Sequence, residues 1–135
     1  MKKIIITAGG TSERIDNVRK ITNSSSGKLG MTIANYLLEE NNDLMIYYVC
    51  SKNSLRPTDK RVQVVEIDGT IDLKNIIEGL LTNKRIDYFI HSMAVSDYMT
   101  DYVTTIERMK ESIKEHDDID EAFKNIEVIG GSKIS

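Results

Sequence analysis

Short apolar runs and amphipathic stretches alternate along the chain as far as Met93, and this alternation predicts its elements. Lys3–Thr7 is β-branched and reads as a buried strand. From Lys28 to Glu39, Met31, Ile33, Ala34, Tyr36, Leu37 and Leu38 recur at near-helical spacing, which predicts an amphipathic helix ended by Glu40-Asn41-Asn42. Asp43–Cys50 is a second apolar strand. Arg61–Asp68 alternates apolar and polar positions and reads as a third. A helix over Ile71–Asn83 follows, with Leu73, Ile76, Ile77, Leu80 and Leu81 as its apolar stripe, and Asp87–Met93 is a fourth strand. Strands that alternate with helices imply an α/β fold: a Rossmann-like three-layer arrangement around a mostly parallel sheet. Beyond Met99 the pattern weakens. Asp101–Lys114 suits a helix or a mobile segment, Lys110–Asp120 reads as a solvated charged face, and Asn125–Ile129 fits a short strand.

One polar stretch does not fit a bare connection. Between the first strand and first helix, Thr7 to Gly30 carries Gly9-Gly10, the run Thr22-Asn23-Ser24-Ser25-Ser26-Gly27-Lys28, two arginines (Arg14, Arg19) and two acids (Glu13, Asp16). Loops this long in compact domains are usually functional or disordered, and hydroxyls set among glycines and charges read as a binding loop. Glycines directly after a strand let backbone N–H groups approach a ligand, because no Cβ intervenes. Ser24–Gly27 sit where the next helix must begin, and its first N–H groups and dipole favour an anion. The plain alternative is that Ser25 or Ser26 only caps the helix and Gly9-Gly10 only turns the chain. Two familiar phosphate motifs are absent. Before Gly27-Lys28, Thr22 stands where a P-loop needs glycine and Leu29 where it needs a hydroxyl, and no G-x-G-x-x-G follows the first strand.

Composition narrows the picture. With 135 residues the chain suggests one domain, and 40% hydrophobic with 29% charged residues fits a globular protein. A net charge of −3 gives no general attraction to nucleic acid or an acidic membrane. No apolar run approaches the ~20 residues that cross a bilayer. The single cysteine, Cys50, excludes an internal disulfide and suits a reducing cytoplasm. With no histidine near it in sequence, Cys50 reads as a packing residue. His91 reads as packed at a strand end and His116 as exposed.

The blocks T-A-G-G-T, I-D-x-V-R and I-T-N-x-S-S-G-K-L-G within Thr7–Gly30, with Ala94-Val95-Ser96-Asp97-Tyr98 further on, resemble the phosphopantothenate–cysteine ligases of coenzyme A biosynthesis, in their stand-alone bacterial form. The resemblance implies a reaction that joins L-cysteine to 4′-phosphopantothenate through an acyl-nucleotide intermediate. Its co-substrate would be CTP, or else ATP, with Mg2+. It implies catalytic roles for Asn23, which would hold the acyl nucleotide, and for Arg19, which would order the loop or act in the second half-reaction. Gly9, Gly10 and Thr11 would lie against the nucleotide, Ser24, Ser25, Ser26, Gly27 and Lys28 would form the anion site, Ala94 would contact substrate, and Asp97 would read the base or ribose or support the metal. Such chemistry needs anion donors and electrostatic stabilisation but no protein nucleophile. It also implies a homodimer, and no nucleic-acid or membrane partner. Lys133-Ile134 resembles only the opening of a family lysine segment, so Lys133 is a candidate triphosphate ligand and the domain 1–135 is expected to be incomplete at its C-terminus. Two alternatives stand beside this reading. One is a Rossmann-like module that binds nucleotide without chemistry. The other is a dinucleotide reductase, disfavoured because Cys50-Ser51 stands where a ribose-binding acid would end strand two.

Overall fold

The computed structural model describes residues 1–99 and 101–127 and the backbone of 130 and 131. Lys133 lies outside the described residues, as do the last two positions of the strand expected over 125–129; positions 125–127 are not strand. In chain order the elements are β1 (Lys2–Ala8), β2 (Ser12–Arg14), β3 (Lys20–Thr22), α1 (Lys28–Glu40), β4 (Leu44–Ser51), β5 (Val62–Ile67), α2 (Thr70–Asn83), β6 (Tyr88–His91), β7 (Tyr102–Val103), α3 (Ile106–Glu115), α4 (Ile119–Lys124) and β8 (Gly130–Gly131). The contacts divide the chain into two compact units. One comprises Met1–Glu13 and Thr22–Asp97, the other Arg14–Ile21 and Tyr98–Ser135.

The first unit holds a parallel sheet in the order β5-β4-β1-β6. Side chains of a strand alternate between faces, and both faces here are covered. Ile4, Ile6 and Ala8 of β1, with Ile46, Tyr48 and Cys50 of β4, pack on Ala34 and Leu38 of α1. Ile5, Tyr47 and Val49 face the other way, toward Leu73 and Met93. Burial on both faces is why β1 and β4 read as continuous apolar runs. The Rossmann-like α/β expectation therefore holds, and the element bounds shift by only a few residues. Strand four is shorter than expected: β6 ends at His91, and beyond it Ser92 still bonds to Thr7 and Ala94 bridges to Gly10.

Helix α1 packs closely because of Gly30. A Cβ there would lie 2.5 Å from the Ala8 Cβ and 2.9 Å from the Ser92 Oγ. Two apolar positions expected to face the core do not: Tyr36 is 63% exposed and Leu81 53%. The buried stripe of α1 is Gly30-Ala34-Leu38, an i, i+4 row, and Tyr36 lies off it. The β4–β5 connection carries no helix. It is folded by arginines: Arg61 binds Asp59 and the Leu38 and Asn41 carbonyl oxygens at the end of α1.

In the second unit the Arg14–Ile21 excursion turns on Asp16. Its carboxylate accepts from the Val18 and Arg19 N–H groups and from the Arg19 guanidinium, which holds its pKa down at about 2. β7 pairs antiparallel with β8. The Thr105 hydroxyl caps α3 by accepting from the Arg108 N–H. The charged run expected as a solvated face is exposed apart from Ser112 and His116; it forms the end of α3 and the start of α4, joined where the Ser112 hydroxyl donates to the Ala122 carbonyl oxygen. His116, expected exposed, is half-buried, its Nδ1 2.7 Å from the Ser112 carbonyl oxygen.

Candidate functional site

Parallel sheets of this kind bind ligands beyond the carboxyl ends of their strands, and both distinctive blocks emerge there, after β1 and after β6. The structure stitches them together. The Ala94 N–H donates to the Gly9 carbonyl oxygen at 2.9 Å, and the Thr11 N–H donates to the Ala94 carbonyl oxygen at 3.0 Å. Thr7, at the end of β1, ties the same region: its hydroxyl oxygen accepts from the Ser92 N–H at 3.2 Å and lies 2.7 Å from the His91 Nδ1. His91 is exposed and stacks on Phe89, so the expectation of a packed strand-end histidine is corrected: β6 is a sheet edge and offers little cover.

Asn23 sits at the centre of this arrangement. Its backbone N–H donates to the Thr11 carbonyl oxygen at 3.1 Å. Its Nδ2 lies 3.1 Å from the Ser96 Oγ, 3.3 Å from the Ala94 carbonyl oxygen and 3.4 Å from both oxygens of Thr11. Two of these partners are carbonyl oxygens, which only accept, so the amide must turn its NH2 toward them. Thr11 is fully buried, and its hydroxyl accepts from the Ser96 N–H at 2.9 Å and meets the Ser96 Oγ at 2.8 Å. Its side chain is therefore spent on shape. Gly10 admits this packing, since a Cβ there would lie 2.7 Å from the Asn23 carbonyl oxygen.

The start of α1 forms the second part of the site. The residue before it, Gly27, has φ +83, a left-handed conformation that favours glycine. No side chain caps the helix, although the Ser26 Oγ accepts weakly from the Lys28 N–H at 3.3 Å. The plain reading of Ser25 or Ser26 as an ordinary cap is thus not what the chain does. Ser24, Ser26 and Lys28 are exposed and Ser25 half-buried. Gly9, at φ +85, is the other left-handed glycine among the described residues. Asp97 is exposed at the end of the second block. Arg19 belongs to the second unit, its guanidinium bidentate on Asp16 at 2.7 and 2.9 Å. Cys50 is fully buried and burial pushes its thiol pKa up, the opposite of an activated nucleophile.

Three contributors escape a reading of the sequence. Ser96 lies inside the second block, but nothing in its spacing shows that it faces Asn23. Glu13, nine-tenths buried, accepts from the Thr70 N–H at 2.9 Å and the Thr70 hydroxyl at 2.7 Å, so it caps α2 across 57 residues of sequence. The Ser51–Arg56 loop reaches both glycine turns, a long-range contact without a local signal.

Fold and site together define a Rossmann-like α/β domain whose strand ends carry a glycine- and serine-rich crevice. The chain belongs to the family described as the DNA/pantothenate metabolism flavoprotein C-terminal domain, which it matches over residues 1–128. It is 36% identical over 120 residues to the coenzyme A biosynthesis bifunctional protein CoaBC of Vibrio vulnificus, a match covering 89% of this chain and 27% of that protein. The CoaBC protein of Thermococcus kodakarensis is 35% identical over 97 residues, 72% of this chain and 23% of the relative. The chain thus spans about a quarter of the length of the curated relatives it matches. Among solved structures, the DNA/pantothenate metabolism flavoprotein of Streptococcus pneumoniae superposes with a TM-score of 0.71 at 33% identity, covering 95% of this chain and 55% of that one. The family-level resemblance carried by the two sequence blocks is borne out.

Proposed function

We propose that this chain carries the phosphopantothenate–cysteine ligase site of coenzyme A biosynthesis. The observation that supports it most is the meeting of Gly10, Thr11, Asn23, Ala94 and Ser96 at the carboxyl ends of β1 and β6, in a chain related to proteins named for that pathway. In the proposed reaction a carboxylate oxygen of 4′-phosphopantothenate attacks the α-phosphorus of CTP, used in preference to ATP, and pyrophosphate leaves. The amine of L-cysteine then attacks the acyl carbon, and the nucleoside monophosphate leaves with the electron pair of the broken C–O bond.

The residues are assigned accordingly. Asn23 holds the acyl group, its amide kept in one orientation by Ala94, Thr11 and Ser96. The uncapped N–H groups at the start of α1, with Ser24, Ser25, Ser26 and Lys28, receive phosphate. Gly9 and Gly10 line the nucleotide, Ala94 the substrate, and Asp97 the base or ribose. Arg19 orders its loop through Asp16 or acts in the second half-reaction, and Lys133 is assigned to the triphosphate by sequence alone. Magnesium would be held chiefly by the nucleotide: among the described residues no three His, Cys, Asp or Glu side chains gather to bind a metal, and this cation is commonly held by phosphates, water and one or two carboxylates. The working form is a homodimer in the cytoplasm; among the described residues no helix is long and apolar enough to cross a membrane.

The test is pyrophosphate release by the chain with 4′-phosphopantothenate, L-cysteine, Mg2+ and CTP, with ATP in parallel. Turnover dependent on all components establishes the ligase and its nucleotide. Thermal protection by CTP without turnover identifies a nucleotide-binding module instead.

A further inference from the structure

The loop that follows β4 touches both halves of the anion crevice. A Cβ on Gly9 would lie 2.4 Å from the Ser51 Oγ and 3.0 Å from both the Cβ and Oγ of Ser54. A Cβ on Gly27 would lie 2.0 Å from the same Ser54 Oγ and just over 3 Å from the Leu55 backbone. The two left-handed glycines therefore press on one side chain from two directions, and Ser54 is 7% exposed between them. The neighbouring bonds repeat this double attachment. The Gly10 N–H donates to the Ser51 Oγ at 3.4 Å, while the Leu55 N–H donates to the Ser26 carbonyl oxygen at 2.9 Å. From below, the buried Tyr48 hydroxyl donates to the Leu55 carbonyl oxygen at 2.8 Å. Arg56 gathers the loop itself. Its guanidinium donates to the carbonyl oxygens of Ser51, Lys52 and Ser54 and pairs with Glu66 at 3.2 Å.

We propose that Ser54 is a positioning residue of the anion site, a spacer that sets the distance between the Gly9-Gly10 turn and the Gly27 start of α1, and that Arg56 holds the spacer in place. The argument is steric. Protein interiors are close-packed, and an added methyl group is felt as a shift of backbone or rotamer. Here both neighbours are glycines whose only yielding motion is to separate. A polyphosphate that takes N–H donors from both turns needs their spacing fixed, so the size of residue 54 governs its affinity. This rests on the ligase reading for the identity of the polyphosphate, CTP.

The test uses the full chain and the variants Ser54→Val, Ser54→Ala and Arg56→Ala, with Mg·CTP as the probe by calorimetry and amide hydrogen exchange without ligand. Ser54→Val is expected to weaken CTP at least tenfold and raise the KM for CTP, with the KM for cysteine unchanged. Ser54→Ala, which adds no bulk, should stay within about threefold of the parent. Arg56→Ala should fall between them. Without ligand, Ser54→Val and Arg56→Ala should accelerate exchange at Gly10 and at Lys28 together, while amides of β1 and β4 keep their protection. Parent-like CTP affinity in Ser54→Val overturns the proposal. If the parent binds neither CTP nor ATP, the ligase reading fails, and exchange alone decides the spacer: joint acceleration at both turns upholds it, and a change confined to 51–56 overturns it.

Discussion

Gly10 and Asn23 are in such close contact that a Cβ on the glycine would lie 2.7 Å from the asparagine's carbonyl oxygen and 2.8 Å from its Cβ. The residue that turns the chain after β1 is thus also the residue against which the proposed catalytic side chain is seated. Gly10→Ala must move Asn23 or the turn. We expect a loss of about 1–3 kcal/mol of stability from overpacking. We also expect a larger loss of ligation, read as pyrophosphate release at temperatures where circular dichroism shows the variant folded. Full activity in a folded variant would separate Asn23 placement from catalysis.

Asn23 offers a second test. In Asn23→Asp a carboxylate oxygen would face the Ala94 and Thr11 carbonyl oxygens, which can only accept. The orientation fixed in the parent is lost, and ligation should fall by roughly 10²-fold, the scale seen when one positioned polar group is removed from a reacting centre. Ser96→Ala removes one of the four partners and should cost far less. Rapid-quench detection of the acyl nucleotide would show which half-reaction is affected.

Glu13 anchors the binding loop to α2 through two bonds to Thr70. Glu13→Ala strands the Thr70 donors and should destabilise the protein by about 1.5–3 kcal/mol, the range for bonds to a charged group. Glu13→Gln keeps an acceptor oxygen and should recover more than half of that. Urea titration of the three proteins is sufficient; equal losses in both variants would show that the contact is incidental.

Tyr48 carries a pH signature. Burial pushes its hydroxyl pKa up from 10.0 to about 12, and the charge of a neighbouring Cys50 thiolate adds to the shift. A group whose pKa is raised on folding contributes stability that is present in full below its unfolded value and lost as pH climbs through its folded one. Thermal stability should therefore decline between pH 10 and pH 12 more steeply in the parent than in Tyr48→Phe. Parallel curves would remove Tyr48 from the alkaline transition.

Cys50 should be silent in the native state. It is fully buried and its pKa is raised by burial. A thiol-reactive dye should label it only after unfolding, and Cys50→Ser should leave ligation intact while lowering stability.

The sheet and its two covering helices were legible because Ile4 to Ala8 and Leu44 to Cys50 are buried on both faces, which leaves a continuous apolar run in the sequence. The Thr7–Gly30 stretch stood out for a different reason: glycine, serine and asparagine in that density leave no apolar periodicity, and the structure joins Gly10, Thr11 and Asn23 within it. Ser54 and Glu13 were not legible. Each acts on residues far away in the chain, Glu13 on Thr70 and Ser54 on Gly9 and Gly27, and a serine in a polar loop or an acid beside an arginine leaves no periodic trace. Tyr36 and Leu81 misled in the opposite direction, because an apolar residue beside a helical stripe reads like one within it.

The path of the chain around the Ser12–Thr22 contact has a consequence for how this domain can vary. The first unit is left after Glu13 and rejoined at Thr22, and the Ser12 and Thr22 hydroxyls meet at 2.8 Å across the gap. Everything between them is a detour whose two ends are already fastened together. Such a detour can be lengthened, shortened or exchanged between descendants at small cost in loop entropy, while Thr11 and Asn23 stay where they are. The placement of Asn23 is thus set by the fastened ends, and within the detour the proposed reaction constrains Arg19.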